Sequence, residues 1–151
     1  MNNTFTSGIG DDAVLEAQIN LPYTLTTGKA AGTFLVALDQ KIILGTTCEK
    51  CQKVIVPATD YCGACGGQNV GFLEMPHSGA ITAVTKVDDK VFIFVHLDGA
   101  DIDLLHIFHG DLSAAKIGAR VKAKWPESVE VASRITSLAG FELAKDSSVG
   151  S

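Results

Sequence analysis

The stretch from residue 48 to residue 65 reads CEKCQKVIVPATDYCGAC and contains all four cysteines of the chain. Cys48 and Cys51 form one Cys-x-x-Cys pair, and after ten intervening residues Cys62 and Cys65 form a second pair. Two such pairs allow four thiolates to converge on one tetrahedral ion, at sulfur–metal distances of about 2.3 Å for zinc. We therefore predict a metal site with these four cysteines as its ligands.

The residues around the cysteines fit a zinc ribbon, a small β-structure built on two metal-binding turns. Gly63, Gly66 and Gly67 give the second turn the backbone freedom that a tight turn needs. Residues 54–56 are short and β-branched and end at a proline, which predicts a strand connecting the two turns. The first turn departs slightly from this pattern, because Gln52 stands where a glycine is usual.

Two disulfides are the alternative use of four cysteines. The chain opens with MNNT, which has neither the basic start nor the apolar core of a signal peptide, so we expect a cytoplasmic protein with reduced thiols. We therefore favour a metal. A four-thiolate site also suits iron, and the spacing does not distinguish zinc from iron. In either case no ligand position remains open for water, so the predicted role is structural.

The composition of the chain fits a soluble protein with an ordinary core. Hydrophobic residues make up 46% of 151 residues, and no apolar run approaches the ~20 residues that a membrane span requires. Seventeen acidic residues against twelve basic ones give a net charge of −5, which disfavours a dedicated nucleic-acid binder. Residues 1–20 contain acidic but no basic residues and are predicted to be a flexible arm, with a second flexible tail at residues 144–151.

Residues 28–40 have the periodicity of an amphipathic helix, with Thr26 or Thr27 as its N-cap. The apolar residues at helical spacing form one stripe: Ala31, Phe34, Leu35 and Leu38. A zinc ribbon alone offers little core for this stripe. By default such a stripe packs on the protein's own core. The more specific prediction is that Phe34, Leu35 and Leu38 bind a partner protein. Residues 41–47 read as a strand that leads to the first cysteine pair.

The chain after the ribbon has the strand pattern of a barrel. Three strands joined by short turns are predicted at residues 80–87, 91–97 and 102–108. A short helical segment follows Asp111, an alternating strand covers residues 120–125, and the fifth strand lies within residues 129–138. This is the element order of the OB-fold. The predicted fold is thus mainly β: helix and lead-in strand at 21–47, zinc ribbon at 48–74, and a five-stranded OB-fold barrel at 75–143.

No group of residues has the pattern of a catalytic site. The four histidines lie neither in a nucleophile motif nor at metal-ligand spacing. They are His77, His96, His106 and His109, of which the second and third fall in predicted strands and are read as core or rim residues. We predict no catalytic residue in this chain.

A basic strip on the fourth barrel strand consists of Arg120, Lys122 and Lys124. Its plain interpretation is the solvated face of an amphipathic strand, and its functional alternatives are a phosphate-bearing ligand or an acidic partner surface. OB-folds bind single strands by stacking bases on exposed aromatic residues. Here the barrel aromatics Phe92, Phe94 and Trp125 fall in core-like patterns, which weakens a nucleic-acid interpretation.

The order of helix, ribbon and barrel resembles a known family, the rubredoxin-like zinc ribbon plus OB-fold proteins that accompany thiolase-fold enzymes acting on acyl-CoA thioesters. Tyr23 and the segment TTGKAAGTFL at 26–35 resemble the family's N-terminal helix. The segment KIILGTTCEKC at 41–51 resembles its approach to the metal. Gly79 and the segment IGARV at 117–121 are similar to its barrel start and its helix-to-strand turn. The resemblance covers about residues 21–143.

The resemblance implies a non-catalytic accessory subunit in a hetero-oligomer with a thiolase-fold catalytic subunit. That subunit would act on 3-oxoacyl-CoA thioesters, while this chain would stabilise the complex, hold a structural Zn²⁺ and help to shape the binding of the shared CoA group. The small subunit of a benzoylsuccinyl-CoA-type thiolase is one candidate, which no residue selects. The competing functions are a single-stranded nucleic-acid-binding protein and a rubredoxin-like electron carrier with iron.

Overall fold

The computed structural model describes residues 20–128 and 133–144. Within these ranges the chain forms one α-helix, eight strands and two 3-10 turns. In chain order they are α1 (Lys29–Asp39), β1 (Ile43–Cys48), β2 (Val54–Ile55), β3 (Asn69–Met75), β4 (Ser78–Val87), β5 (Lys90–Leu97), β6 (Leu104–Phe108), a 3-10 turn (Leu112–Ala114), β7 (Arg120–Lys124), a 3-10 turn (Ile135–Ser137) and β8 (Gly140–Leu143). The predicted acidic arm up to residue 19 and the tail from residue 145 lie outside the described residues.

Helix α1 begins one residue after Gly28, whose φ of +79° ends the preceding extended segment. The predicted N-cap at Thr26 or Thr27 is wrong, because the N-cap residue is Gly28, which has no side chain to cap the helix. The cap comes instead from the ribbon, where the Asp60 carboxylate accepts a hydrogen bond from the Ala30 N–H at 3.2 Å. A negative charge at this end also matches the positive end of the helix dipole.

The apolar stripe of α1 is buried inside the protein. Phe34 and Leu38 are 3% and 0% exposed and belong to the same core cluster as barrel residues such as Val95 and Phe141. The prediction that Phe34 and Leu38 bind a partner is therefore wrong, and Leu35 packs partly buried against the same cluster. The prediction failed because the barrel, together with the ribbon, supplies the core that a ribbon alone could not offer.

The ribbon is a three-stranded antiparallel sheet in the order β2-β1-β3. Strand β1 pairs with β2 through Thr46↔Ile55 and with β3 along its length from Ile43↔Met75 to Cys48↔Asn69. The β1–β3 register shifts between Thr46 and Thr47, where β3 carries the extra residue Gly71 at a φ of +65°. Strand β3 therefore lies at the edge of the sheet and is bent by a bulge.

The barrel closes in the order β4-β5-β6-β8-β7, and β4 pairs with β7. The first three strands form a meander, and β8 inserts between β6 and β7 with one parallel pairing, Phe108↔Phe141. This is the predicted OB-fold arrangement, with a 3-10 turn in the place of the predicted short helix. The predicted mainly β fold, with one helix, a four-cysteine ribbon and a five-stranded barrel, is confirmed.

The fifth barrel strand lies later in the chain than predicted. It occupies Gly140–Leu143, while the described part of the predicted range, residues 133–138, contains a 3-10 turn. The turn is held by Asp39 at the end of α1, which accepts hydrogen bonds from the Ser133 N–H at 2.9 Å and from the Ser137 hydroxyl at 2.6 Å. These contacts divert the segment away from strand pairing.

The ribbon is joined to the barrel by a reciprocal pair of hydrogen bonds. The Val54 N–H donates to the Asp101 carboxylate at 2.8 Å, and the Asp101 N–H donates to the Val54 carbonyl at 2.9 Å. Together with the shared core, this pair fixes how the metal-binding turns sit on the barrel. Among the described residues no helix is both long enough and apolar enough to cross a membrane.

Candidate metal centre

The four cysteine sulfurs form one compact cluster. Every pair of sulfurs lies within 4.8 Å, with Cys48–Cys65 at 3.5 Å and Cys51–Cys62 at 3.7 Å. A tetrahedral ion with bonds of about 2.3 Å requires sulfur separations of about 3.8 Å. A disulfide would require about 2.05 Å, and all four cysteines are free thiols in this structure. The donor set therefore fits a tetrahedral thiolate site.

Two similar turns present the four sulfurs. The N–H of Gln52 donates to the Cys48 carbonyl, and the N–H of Gly66 donates to the Cys62 carbonyl, both at 2.9 Å. Each donor lies four residues after the first cysteine of its pair, and each has a left-handed backbone, with φ of +61° and +69°. This geometry explains why a glycine is expected at position 52. Gln52 adopts it with its side-chain amide bonded to the Glu49 carbonyl at 2.8 Å.

Gly67 has no side chain, and two of the cysteine sulfurs lie close to the position that its Cβ would take. A Cβ at this position would lie 3.2 Å from the Cys48 sulfur, 3.3 Å from the Cys65 sulfur and 2.9 Å from the Lys50 Cβ. The backbone here also holds the second turn, since the Cys62 N–H donates to the Gly67 carbonyl at 2.8 Å. Any side chain at this position would push the ligands apart.

The electrostatics of the cluster favour a cation. The pKa of the Cys48 thiol is lowered to about 7, chiefly because the Cys51 N–H donates a hydrogen bond to its sulfur. The Lys53 N–H acts to lower the pKa of Cys51, but burial and the neighbouring sulfurs raise it to about 12. Without a metal, one thiolate thus suppresses ionisation of the next, and a divalent cation removes this conflict by neutralising the cluster.

The histidines do not converge on the metal cluster. His106 is 7% exposed, and burial lowers its pKa below the ordinary value, so it is a neutral core residue. His96 lies on the barrel surface and pairs through Nδ1 with the Asp103 carboxylate at 2.8 Å. The ring of His77 contacts that of Trp125 at a centroid distance of 5.2 Å, and His109 Nε2 lies 2.9 Å from the Ala139 carbonyl oxygen.

The basic strip on β7 is compensated by acidic neighbours. Arg120 forms a two-pronged pair with Asp98 at 2.8 and 2.6 Å, and the Lys122 and Lys124 ammonium groups each lie 3.4 Å from Glu142. The hydrogen bonds from Arg120 lower the pKa of the Asp98 carboxyl to about 2. The strip therefore presents little net positive charge to a phosphate backbone.

A cavity of about 440 Å³ lies between the first turn of α1 and the ribbon, and no sequence pattern predicted it. Lys29, Asp60, Tyr61, Asn69 and Phe72 are among the residues that line it. These residues are distant in sequence and carry no motif, so only the antiparallel pairing of β1 with β3 and the docking of α1 bring them together.

Comparison with known proteins gives one family match. Residues 36–71, from the last turn of α1 through the start of β3, match the model of the ChsH2 rubredoxin-like zinc ribbon domain. No curated protein sequence matches the chain.

Two solved structures share the fold. One is a DUF35-family protein of unknown function from Sulfolobus solfataricus, 24% identical, with 64% of this chain and 78% of that chain covered and a TM-score of 0.53. The other is a chain of the Ltp2-ChsH2(DUF35) aldolase, 17% identical, with 77% of this chain and 95% of that chain covered and a TM-score of 0.56. At these identities the two structures show the fold alone. The segment matched by the ChsH2 rubredoxin-like zinc ribbon model, residues 36–71, carries both cysteine pairs and is similar to that domain.

Proposed function

We propose that this chain is a non-catalytic accessory subunit of a thiolase-fold enzyme complex that acts on 3-oxoacyl-CoA thioesters. The observation that carries the proposal is the ChsH2-family ribbon, found here on an OB-fold barrel with the architecture of a DUF35 chain. A chain of that architecture is part of the Ltp2-ChsH2(DUF35) aldolase. The proposed role of this chain is to stabilise the complex and to help shape the binding of the CoA group.

The proposed metal is a structural Zn²⁺ held by Cys48, Cys51, Cys62 and Cys65. The sulfur separations suit zinc, and the ribbon family is named for this metal. All four ligands come from the protein, so a tetrahedral ion would have no position left for water or substrate. The ion would supply rigidity to the turns and no chemistry on the substrate.

The contacts of the described histidines also support a non-catalytic role. The buried ring of His106 touches Phe141, and His96 pairs with a carboxylate on the barrel surface. Neither histidine lies beside a cysteine thiol that it could activate, since the four thiols gather on the ribbon. The condensation or thiolysis chemistry would therefore belong to the catalytic partner.

The competing nucleic-acid function is disfavoured by the ion pairs of the barrel. Single-strand binders combine a positive groove with exposed aromatic platforms. Here Arg120, Lys122 and Lys124 are paired with carboxylates, and Trp125 is half-buried against His77. The predicted core position of Phe94 is wrong, because this side chain is 39% exposed on the barrel.

Purification of the tagged chain from its native organism tests the proposal. We expect a thiolase-fold protein to co-elute in stoichiometric amount, together with one zinc per copy of this chain and a colourless preparation. A red, iron-containing protein that elutes alone would identify an electron carrier. Salt-sensitive binding to a single-stranded oligonucleotide, without a thiolase-fold partner, would identify the nucleic-acid alternative.

A further inference from the structure

The outer edge of β3 is open and apolar. Strand β3 pairs with β1 on one side. On its other side, within residues 20–128 and 133–144, only Asn69 is engaged, through a 2.9 Å hydrogen bond from its N–H to the Asp60 carbonyl. From Val70 to Glu74 the described residues supply no strand partner for this edge. Val70 and Phe72 are each 44% exposed, and Leu73 is 42% exposed. An edge with these properties is a template for pairing with another strand.

The cavity beside α1 continues along this open edge. Val70, Gly71 and Phe72 line it from the side of β3, and Tyr61 lines it from the neighbouring loop. Asn69 also lines the cavity, and its Oδ1 is the buried side-chain oxygen that finds no hydrogen-bond partner among the described residues. A strand added to the edge would thus lie beside a pocket for one of its side chains, which is the arrangement that strand-adding peptides use.

The chain itself contains a segment that matches this edge. Residues 21–25 read LPYTL, carry no charge and form no regular secondary structure. Leu21, Tyr23 and Leu25 alternate with smaller residues and are 71%, 76% and 76% exposed, so these side chains pack on little within their own chain. Apolar residues at every second position are the pattern of a strand with one buried face.

We propose that residues 21–25 of one copy add as a strand to the β3 edge of a second copy. Each copy has one such segment and one such edge, so two copies exchange segments reciprocally and close as a symmetric dimer. The segment ends three residues before Gly28, and the next two residues, Lys29 and Ala30, line the cavity beside β3. In each copy the donor segment therefore ends next to the β3 edge. The donor segment of the second copy would bind at that same edge.

Pro22 fits this assignment. The backbone groups of successive strand residues point to alternate sides, so when Leu21, Tyr23 and Leu25 bond to β3, the backbone of Pro22 faces outward. The missing N–H of proline then lies at the new outer edge, where it hinders addition of a further strand. The exchange would end at two copies.

The oligomeric state of the full chain, measured by light scattering during size-exclusion chromatography, tests this inference. We expect the unaltered protein to be a dimer at micromolar concentration. Tyr23→Asp on the donor segment and Phe72→Asp on the edge should each raise the dimer dissociation constant about tenfold or more, because each places a charge in the interface. Val87→Asp, at a 54% exposed position of β4, is the matched control and should leave the dimer intact.

A mixing experiment separates this exchange from any other dimer. The Tyr23→Asp chain keeps an intact edge and the Phe72→Asp chain keeps an intact donor, so a mixture of the two restores one of the two contacts. We expect differently tagged copies of these variants to associate with each other more strongly than either associates with itself. A monomeric unaltered protein at 100 µM, or a dimer that both substitutions leave unchanged, would overturn the inference. This result does not depend on the proposed enzyme partner.

Discussion

At the scale of single residues, the two metal-binding turns show how backbone geometry restricts the sequence. Position 52 and position 66 have the same left-handed conformation, but one is glutamine and the other glycine. The cysteine spacing was sufficient to predict the convergence of the four sulfurs. Glutamine gives no local signal for this conformation, which accompanies the hydrogen bond from the Gln52 N–H to the Cys48 carbonyl, and the sequence indicated it only through the glycine usual at this position.

Gln52→Gly and Gly66→Ala should change stability in opposite directions. A left-handed backbone costs a side-chain-bearing residue about 1 kcal/mol, so we expect Gly66→Ala to lower the free energy of unfolding by roughly that amount. Gln52→Gly should raise it by about 0.5 kcal/mol, since the relief of strain exceeds the loss of the exposed bond to Glu49. Urea unfolding of the metal-loaded protein measures both values. A lower stability for both variants would contradict the role assigned to the backbone.

The pair between Asp98 and Arg120 makes stability depend on acid pH. The pKa of Asp98 is lowered to about 2 from an ordinary value of 3.8, so its contribution is present above about pH 4 and is lost as the pH falls towards 2. We expect Asp98→Asn to be less stable than the unaltered protein at pH 5. The difference in free energy of unfolding between the two proteins should be smaller at pH 3. The side chains are about half exposed, so the effect is small.

Urea midpoints at pH 5 and pH 3 measure this difference. Asp88→Asn, in the exposed turn between β4 and β5, is the control and should track the unaltered protein at both values. Metal loss in acid affects all three proteins alike, so the comparison between variants isolates the ion pair. A difference between Asp98→Asn and the unaltered protein that stays constant with pH would contradict the assignment.

At the scale of elements, the periodicity of the sequence predicted the secondary structure of most segments. It was less successful for the packing partners of those segments. The spacing of Phe34 and Leu38 correctly predicted a helix and its apolar face, but the face packs on a core formed jointly with the barrel. Strand β3 was not predicted, because the bulge at Gly71 interrupts its alternation. Strand β8 was predicted too early, because contacts of Asp39 with Ser133 and Ser137 hold that segment in a turn.

Leu38→Ala tests whether α1 is a core element. Leu38 is fully buried, so we expect the substitution to lower the free energy of unfolding by about 2–5 kcal/mol. Val36→Ala, at a half-exposed position of the same helix, should change it by less than about 0.5 kcal/mol. Thermal unfolding followed by circular dichroism provides the comparison. Equal stability of the two variants would mean that the helix face is not part of the core.

At the scale of the whole molecule, the metal-binding ribbon and the barrel pack against each other through a shared core. Ile43, Val56 and Met75 of the ribbon share a core cluster with the barrel, and Val54 and Asp101 are bonded to each other across the junction. The ribbon strands themselves are short and place few side chains around Cys48 and Cys62. The metal would therefore stabilise the ribbon directly and the remaining fold through it.

Metal removal should destabilise the protein without fully unfolding the barrel. We expect a strong chelator, or the substitution Cys51→Ser, to lower the melting temperature and to expose amides of β1 to β3 to hydrogen exchange. The closed pairing of β4 to β8 should keep the barrel amides protected. Exchange of both parts at equal rates would show that the barrel cannot fold without the metal.

The activity of the proposed catalytic partner, with and without this chain, tests whether this chain is a required, non-catalytic subunit. The rate of thiolysis of a 3-oxoacyl-CoA is measured for the isolated partner, for this chain alone and for the recombined complex. We expect no turnover by this chain alone. The thiolysis rate of the isolated partner should be at least about tenfold lower than that of the complex, and mixing the two should restore the full rate. Turnover by this chain alone, or a partner whose rate is indifferent to it, would contradict the claim that it is a required, non-catalytic subunit.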